Sequence, residues 1–255
     1  MKFNKGDLVT RKSYNHDLIF KIINITEDKY ILKGIEMRLY ADSPEDDLEL
    51  FSDRYSFDTF YLENDERSLE EYFYLPPKIL HIDGDSEYLE RCMKYYQNHN
   101  VKAIGKKISE VNMADNIIIL LKKYRPDLLV ISGHDSYNKN SNNPDDIKNY
   151  RNSLNFVKTI KAARKYEKSH DKLLIIAGAC QSFYEELIKA GADFASSPKR
   201  INIHALDPAI IATSIALTKR TDVIDLIKVL NKTKYGKDGM GGVECNGLMY
   251  VGYPR

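Results

Sequence analysis

The residues with the most chemistry to offer are a histidine and a cysteine that each follow an apolar run. Leu128-Leu129-Val130-Ile131-Ser132 leads into Gly133-His134-Asp135, and Leu173-Leu174-Ile175-Ile176-Ala177 leads into Gly178-Ala179-Cys180-Gln181. Continuous apolar runs of this length read as strands of a parallel sheet, and ligands bind such sheets beyond the carboxyl ends of the strands. If the two strands are neighbours, His134 and Cys180, 46 residues apart, share one edge. The small residues ahead of each let the backbone turn sharply and leave the side chain accessible.

The chemistry of such a pair follows from its proton. A free thiol titrates near about 8.5, so little of it is thiolate at neutral pH. An imidazole alongside takes the proton and stabilises the thiolate as an ion pair, which is a nucleophile for acyl transfer. The Cys180 amide is the first candidate to hold the oxyanion of a tetrahedral intermediate, and Gly133, Asp135 and Gln181 flank the pair as further oxyanion or orienting candidates. His134 then protonates the leaving amine and activates water. Caspase-type peptidases place histidine and cysteine in this order at about this separation.

The bland alternatives are specific. A lone cysteine at a strand end is most often a small buried hydrophobe, and Asp135 could simply cap a turn. His204 is a rival base, but it follows Cys180, the wrong order for a caspase-like site. Asp207, ahead of Pro208, reads as the start of a helix over Pro208–Leu217.

A rival enzyme class sits in Ile79-Leu80-His81-Ile82-Asp83-Gly84-Asp85-Ser86, an apolar strand followed by Asp-x-Asp-Ser. Mg²⁺-dependent phosphatases use such a pattern, one carboxylate attacking phosphorus and the next acting as general acid. Ser132 could supply the phosphate-binding hydroxyl, but no later apolar strand ends in two acids. A third class is binding without catalysis through the N-terminal residues. There Lys2, Lys5, Arg11, Lys12 and Lys21 are interleaved with Phe3, Tyr14 and Phe20.

The elements that must position these groups fall into two regions. Short β-rich runs over Leu8–Thr10, Leu18–Ile25, Tyr30–Leu32 and Met37–Tyr40 suggest a small SH3-like β-barrel over residues 1–62. Residues 63–77 read as a linker closed by Pro76-Pro77. From residue 78 to 255 strands alternate with amphipathic helices: a strand at Lys78–Ile82, a helix over Ser86–Asn98, a weaker strand at Val101–Ile108 and helices over Ala114–Tyr124, Ser153–Lys168 and Phe183–Ala190. That alternation implies a mostly parallel sheet covered on both faces, a three-layer caspase-like α/β domain.

Composition narrows the field. The 255 residues carry 38 Lys+Arg against 37 Asp+Glu, which counts against a general nucleic-acid or anionic-membrane binder. No apolar run is long enough for a membrane span, and the opening MKFNKGDLVTRK lacks the apolar core of a signal peptide. Three scattered cysteines suit a reducing compartment and neither a disulfide framework nor a zinc site, so a cytoplasmic protein without metal or organic cofactor is expected.

The sequence also resembles the YabG family, sporulation-specific cysteine peptidases of endospore-forming bacteria. The likeness is carried by Gly6-Asp7-Leu8-Val9-Thr10-Arg11-Lys12-Ser13-Tyr14, Leu80-His81-Ile82-Asp83-Gly84-Asp85 and Arg125-Pro126-Asp127 through Ser136-Tyr137. It continues in Ala177-Gly178-Ala179-Cys180-Gln181-Ser182, Ala195-Ser196-Ser197-Pro198, Asn202-Ile203-His204-Ala205-Leu206-Asp207-Pro208 and Gly241-Gly242-Val243-Glu244.

The resemblance implies an endopeptidase that processes spore coat and germination proteins, and itself, in the mother-cell cytoplasm or in association with the coat. It puts the nucleophile on Cys180 and the histidine on His134, and implies cleavage next to arginine. An arginine subsite needs an acid near the cysteine. Asp135, Asp193 and Asp207 are the candidates, and Asp193, His204 and Asp207 are carried as substrate-binding residues. Caspase-like sites place a glycine after the histidine; here Gly133 precedes His134, which leaves the second oxyanion donor open.

Overall fold

Phe20–Ile25 and Tyr30–Gly34, rich in aromatic and aliphatic residues, pair antiparallel near the start of the chain. In a computed structural model, residues 2–26, 28–51, 72–138 and 143–253 are described. The chain divides into two compact units, Met1–Asp65 and Glu66–Arg255.

The first unit contains β1 (Leu8–Arg11), β2 (Phe20–Ile25), β3 (Tyr30–Gly34), β4 (Tyr40–Ser43) and β5 (Leu48–Leu50), in the order β4-β3-β2-β1-β5 and antiparallel throughout. Its core is Phe3, Val9, Phe20, Ile22, Tyr30, Leu32 and Leu48. The fourth strand lies later than the run Met37–Tyr40 suggests. Gly34 N–H donates to Leu39 O at 2.8 Å or less, and Leu39 N–H donates back to Met37 O, so residues 35–39 make a tight turn. Met37 is buried in that turn, which is why it reads as strand-like in sequence.

The second unit begins with β6 (Phe73–Leu75) and β7 (Ile79–Asp83), then α1 (Ser86–Asn98), β8 (Ala103–Lys107), α2 (Glu110–Tyr124) and β9 (Leu128–Ser132). It continues through α3 (Ser153–Tyr166), β10 (Leu174–Ala177), α4 (Tyr184–Lys189), β11 (Phe194–Ser196), α5 (Asp207–Leu217), α6 (Leu226–Leu230), β12 (Met240–Gly242) and β13 (Tyr250–Gly252). Of the stretch read as a linker, residues 63–71 lie outside the described residues, while Phe73–Leu75 pair with β13 as a two-stranded ribbon.

The main sheet has the order β12-β11-β10-β9-β7-β8. Its five strands from β8 to β11 run parallel, and β12 closes one edge antiparallel to β11. Leu80, Ile82, Leu129, Ile131 and Ile175 pack on one face against Met113 and Ile117 of α2 and Phe156 and Ile160 of α3. The opposite face is covered by α1 and α5. Every side chain of β7 and β9 is buried; β9 reads as an apolar run up to Ser132, while β7 also buries the polar His81 and Asp83. Each buried Leu or Ile contributes on the order of 1.5–3 kcal/mol relative to exposure. Because β7 is flanked by β8 on one side and β9 on the other, the winding direction reverses there, the place in an open parallel sheet where ligands generally bind. No described helix is long and apolar enough to cross a membrane.

Candidate active site

The strands β9 and β10 pair in parallel register with Ile131 opposite Ala177, and β7 lies on the other side of β9 with Asp83 opposite Ser132. Residues 83–86, 133–137 and 178–183 therefore leave the sheet at one edge. Gly178 makes the turn toward Cys180 at φ +114°, a conformation side chains other than glycine rarely adopt, and its N–H donates to Ile131 O at 2.9 Å.

His134 is fixed at both its backbone and its ring. Its N–H donates to Glu110 Oε1 at 2.8 Å, and its carbonyl accepts from Asn152 Nδ2 at 2.8 Å. The Glu110 carboxylate occupies room that exists only because residues 84 and 133 are glycines; a Cβ at either would collide with it. The imidazole is 13% exposed, with Nε2 3.2 Å from Asp85 Oδ2. The ring of Tyr88 meets it edge-on with centroids 5.7 Å apart.

Cys180 is buried against the segment 201–206. Its Sγ accepts the N–H of Ile203 at 3.3 Å and donates toward Ile203 O at 3.7 Å. Gln181, at φ +58°, donates its amide N–H to Ile201 O and Ser197 Oγ, both at 3.0 Å. Its side chain accepts from Tyr137 N–H at 3.2 Å and donates to Asn202 Oδ1 at 3.0 Å. Gln181 thus joins the histidine's loop to residue 202 rather than offering its amide to a substrate.

Asp135 is the buried fastener of the site. Oδ1 accepts the N–H groups of Ser136 and Asn152 at 2.9 and 2.7 Å, and Oδ2 accepts the hydroxyls of Ser153 and Ser182 at 2.5 and 3.0 Å. Burial pushes its pKa up, with those four hydrogen bonds opposing the shift. Four donors fill a carboxylate's acceptor capacity, so Asp135 ties the two loops together instead of orienting the imidazole or taking an arginine.

The remaining candidates separate by position. Asp207 is fully buried at the start of α5, accepting from His204 N–H at 2.9 Å and Lys234 N–H at 3.1 Å. His204 Nδ1 accepts from Leu206 N–H at 3.2 Å. Both belong to the segment that holds Cys180. Asp193 does not. It precedes β11, at the amino end of the sheet, where it accepts from Ile175 N–H at 2.6 Å and pairs with Arg164 at 2.7 Å and with His170. A surface cavity bounded by Arg125, Asp127, Tyr166 and Arg220 opens elsewhere than at the Cys180 loop.

The phosphatase pair is occupied within the protein. Asp83 is fully buried, taking the Ser132 hydroxyl at 2.6 Å and the Asp85 N–H at 2.8 Å. Ser132 Oγ, having donated to Asp83, accepts from His81 Nε2 at 2.7 Å, and His81 Nδ1 meets Tyr96 OH at 3.0 Å. Among the described residues no group of three or more His, Cys, Asp or Glu side chains is placed to hold a metal ion. Glu110, Asn152 and Ser153 escape a sequence reading because each comes from a helix start distant in the chain. The only signal for Glu110 is the pair of glycines, 84 and 133, that make room for it.

Known proteins resemble this chain over its whole length. The family model described as "YabG peptidase U57" matches residues 4–60 and 59–254. The "Sporulation-specific protease YabG" of Bacillus subtilis (strain 168) is 41% identical over 286 aligned positions, covering 100% of this chain and 99% of that protein. The match extends over both units. The chain belongs to the YabG peptidase family, and it is a peptidase.

Proposed function

We propose that this chain is a sporulation-specific cysteine endopeptidase with Cys180 as nucleophile and His134 as general base and acid. The reading is carried by one observation: β9 and β10 are hydrogen-bonded neighbours in parallel register, so the loops bearing His134 and Cys180 leave the sheet side by side. The strand order, the antiparallel closing strand and the histidine-then-cysteine order support a caspase-like domain for the second unit. The five-stranded antiparallel sheet supports an SH3-like module for the first.

The reaction balances as follows. The Cys180 proton passes to the imidazole, and the thiolate adds to the scissile carbonyl to give a tetrahedral oxyanion. Collapse expels the amine, which leaves with the proton held by His134, and a thioester remains on Sγ. Water, deprotonated by the same imidazole, then releases the acid and restores the thiol. The sulfur is buried against Ile203, so admission of a peptide requires the segment 201–206 to move aside. With the Gln181 amide engaged, the Cys180 amide is the oxyanion donor we assign.

The sporulation role rests on the name of the Bacillus subtilis relative. Processing of spore coat and germination proteins, self-cleavage, a mother-cell site of action and cleavage beside arginine rest on the family resemblance alone. Asp193, at the amino edge, is left out of any arginine subsite. The test is recombinant wild type, Cys180→Ala, His134→Ala and His204→Ala incubated with spore coat protein. Cleavage is expected in wild type and His204→Ala and absent in the other two. Undiminished cleavage by Cys180→Ala would end the proposal.

A further inference from the structure

Asp85 belongs to α1 by its backbone and to His134 by its carboxylate. Oδ1 accepts the N–H groups of Glu87 at 2.9 Å and Tyr88 at 3.2 Å, capping the helix, while Oδ2 lies 3.2 Å from His134 Nε2. The residue is held from below as well. Its own N–H donates to Asp83 Oδ1, and Asp83 is anchored by the Ser132 hydroxyl, which His81 and Tyr96 anchor in turn. His81, Asp83, Ser132 and Tyr96 are all fully buried, so the carboxylate of Asp85 is fixed by the core of the sheet and not by a flexible loop.

An ionised carboxylate accepts hydrogen bonds and cannot donate them. The contact with Asp85 therefore requires the hydrogen of a neutral His134 to sit on Nε2, which leaves Nδ1 as the basic nitrogen. We propose that Asp85 is the positioning residue of His134, holding the imidazole in the Nε2–H tautomer and stabilising the imidazolium formed when Nδ1 takes the Cys180 proton. This inference rests on the Cys180/His134 reading and extends it to a third side chain. Asp85 itself takes no proton: the hydrogen moves from Sγ to Nδ1 and from Nδ1 to the leaving amine.

Other groups face His134 from the surrounding elements. From α1 comes the Tyr88 ring, from α2 the Glu110 carboxylate on the backbone N–H, and from β7 the Asp83 carboxylate beneath Asp85. Asp85 is the carboxylate that meets the ring nitrogen. The competing account makes Asp85 only a helix cap. Asparagine caps as well as aspartate, so Asp85→Asn keeps the cap, removes the charge and turns a donor toward Nε2.

The experiment uses the full-length chain labelled with ¹⁵N-histidine, with the His134 signals assigned by their loss in His134→Ala. Nitrogen shifts are followed against pH in wild type and Asp85→Asn, and hydrolysis of denatured casein is measured for both. The expected result is an Nε2–H pattern in wild type and an Nδ1–H pattern in Asp85→Asn. In the variant kcat falls by about tenfold or more, while KM and the melting temperature stay close to wild type. An unchanged tautomer overturns the proposal, even if turnover falls, because the loss is then one of packing. A changed tautomer with undiminished turnover overturns it too. Failure of the underlying reading looks different: Cys180→Ala would then hydrolyse casein like wild type, whatever the tautomer of His134.

Discussion

Ser182 Oγ donates to Asp135 Oδ2 at 3.0 Å, and this one buried hydrogen bond joins the loop that carries the cysteine to the loop that carries the histidine. The two residues are 47 positions apart in sequence, and each lies within two positions of Cys180 or His134 on its own loop. Relative placement of the two loops depends on groups that take no part in bond making.

Replacing Asp135 should separate structure from charge. Asp135→Ala leaves two backbone N–H groups and two hydroxyls without their acceptor and should cost on the order of 3 kcal/mol or more of unfolding free energy. Asp135→Asn keeps an acceptor for both N–H groups and should cost far less at neutral pH. Urea unfolding midpoints of the two variants decide this; equal losses would contradict the assigned network.

The same pair carries a pH dependence. Burial raises the folded-state pKa of Asp135 above its ordinary 3.8. A raised folded value means that the group stabilises the fold most below 3.8 and loses that contribution as pH rises through the higher folded value. The advantage of wild type over Asp135→Asn should therefore grow as pH is lowered from neutrality toward 3.8. Paired melts at neutral and acid pH test the sign, and a shrinking advantage refutes it.

Gly133→Ala should act on the site through Glu110. The new Cβ runs into the Glu110 carboxylate, which must give way and release the His134 N–H. A loss of about 1–3 kcal/mol from overpacking is expected, together with reduced peptidase activity at temperatures where the variant is folded. Activity equal to wild type in a folded Gly133→Ala protein would show that this backbone anchor is dispensable.

Asp193→Ala should destabilise without touching catalysis. The substitution strips the largely buried Arg164 of its carboxylate partner at the amino edge of the sheet and should cost about 3–5 kcal/mol. Below the melting temperature of the variant, kcat/KM should stay at the wild-type level. A selective rise in KM for arginine-containing peptides would place Asp193 in the substrate site after all.

The cysteines should differ in reactivity. Burial, with the negative charges of Asp193 and Asp171, pushes the Cys245 thiol up to about 12. At pH 8 about one molecule in ten thousand then carries that thiolate, so iodoacetamide should leave Cys245 unmodified in the native chain. Peptide mass spectrometry after timed labelling checks this, and labelling of native Cys245 as fast as in urea would contradict it.

Much of the second unit is legible in sequence because its strands are buried on both faces. Leu128–Ser132 and the helix over Ser86–Asn98 coincide with β9 and α1, since an unbroken apolar run and a 3.6-residue period each have one structural solution at those lengths. The shift of the fourth strand to Tyr40–Ser43 and the short strands β11 and β12 were not legible. Met37 is apolar for the sake of a turn, and three-residue strands are too short to show a period. For α2, the start at Glu110 rather than Ala114 adds one turn, whose Met113 continues the buried stripe of Ile117 and Leu121.

By itself the sequence put His134 and Cys180 just beyond the ends of two buried strands, because small residues after buried runs mark where a chain must turn. Through its motifs it also determined the family. Only the tertiary structure decided which groups each carboxylate meets. A carboxylate's role is set by the donors that reach it, and those come from distant parts of the chain: Asp135 is filled by Asn152, Ser153 and Ser182, Asp193 is carried to the far edge, and Asp85, which the Asp-x-Asp-Ser pattern suggests as half of a phosphatase pair, meets His134.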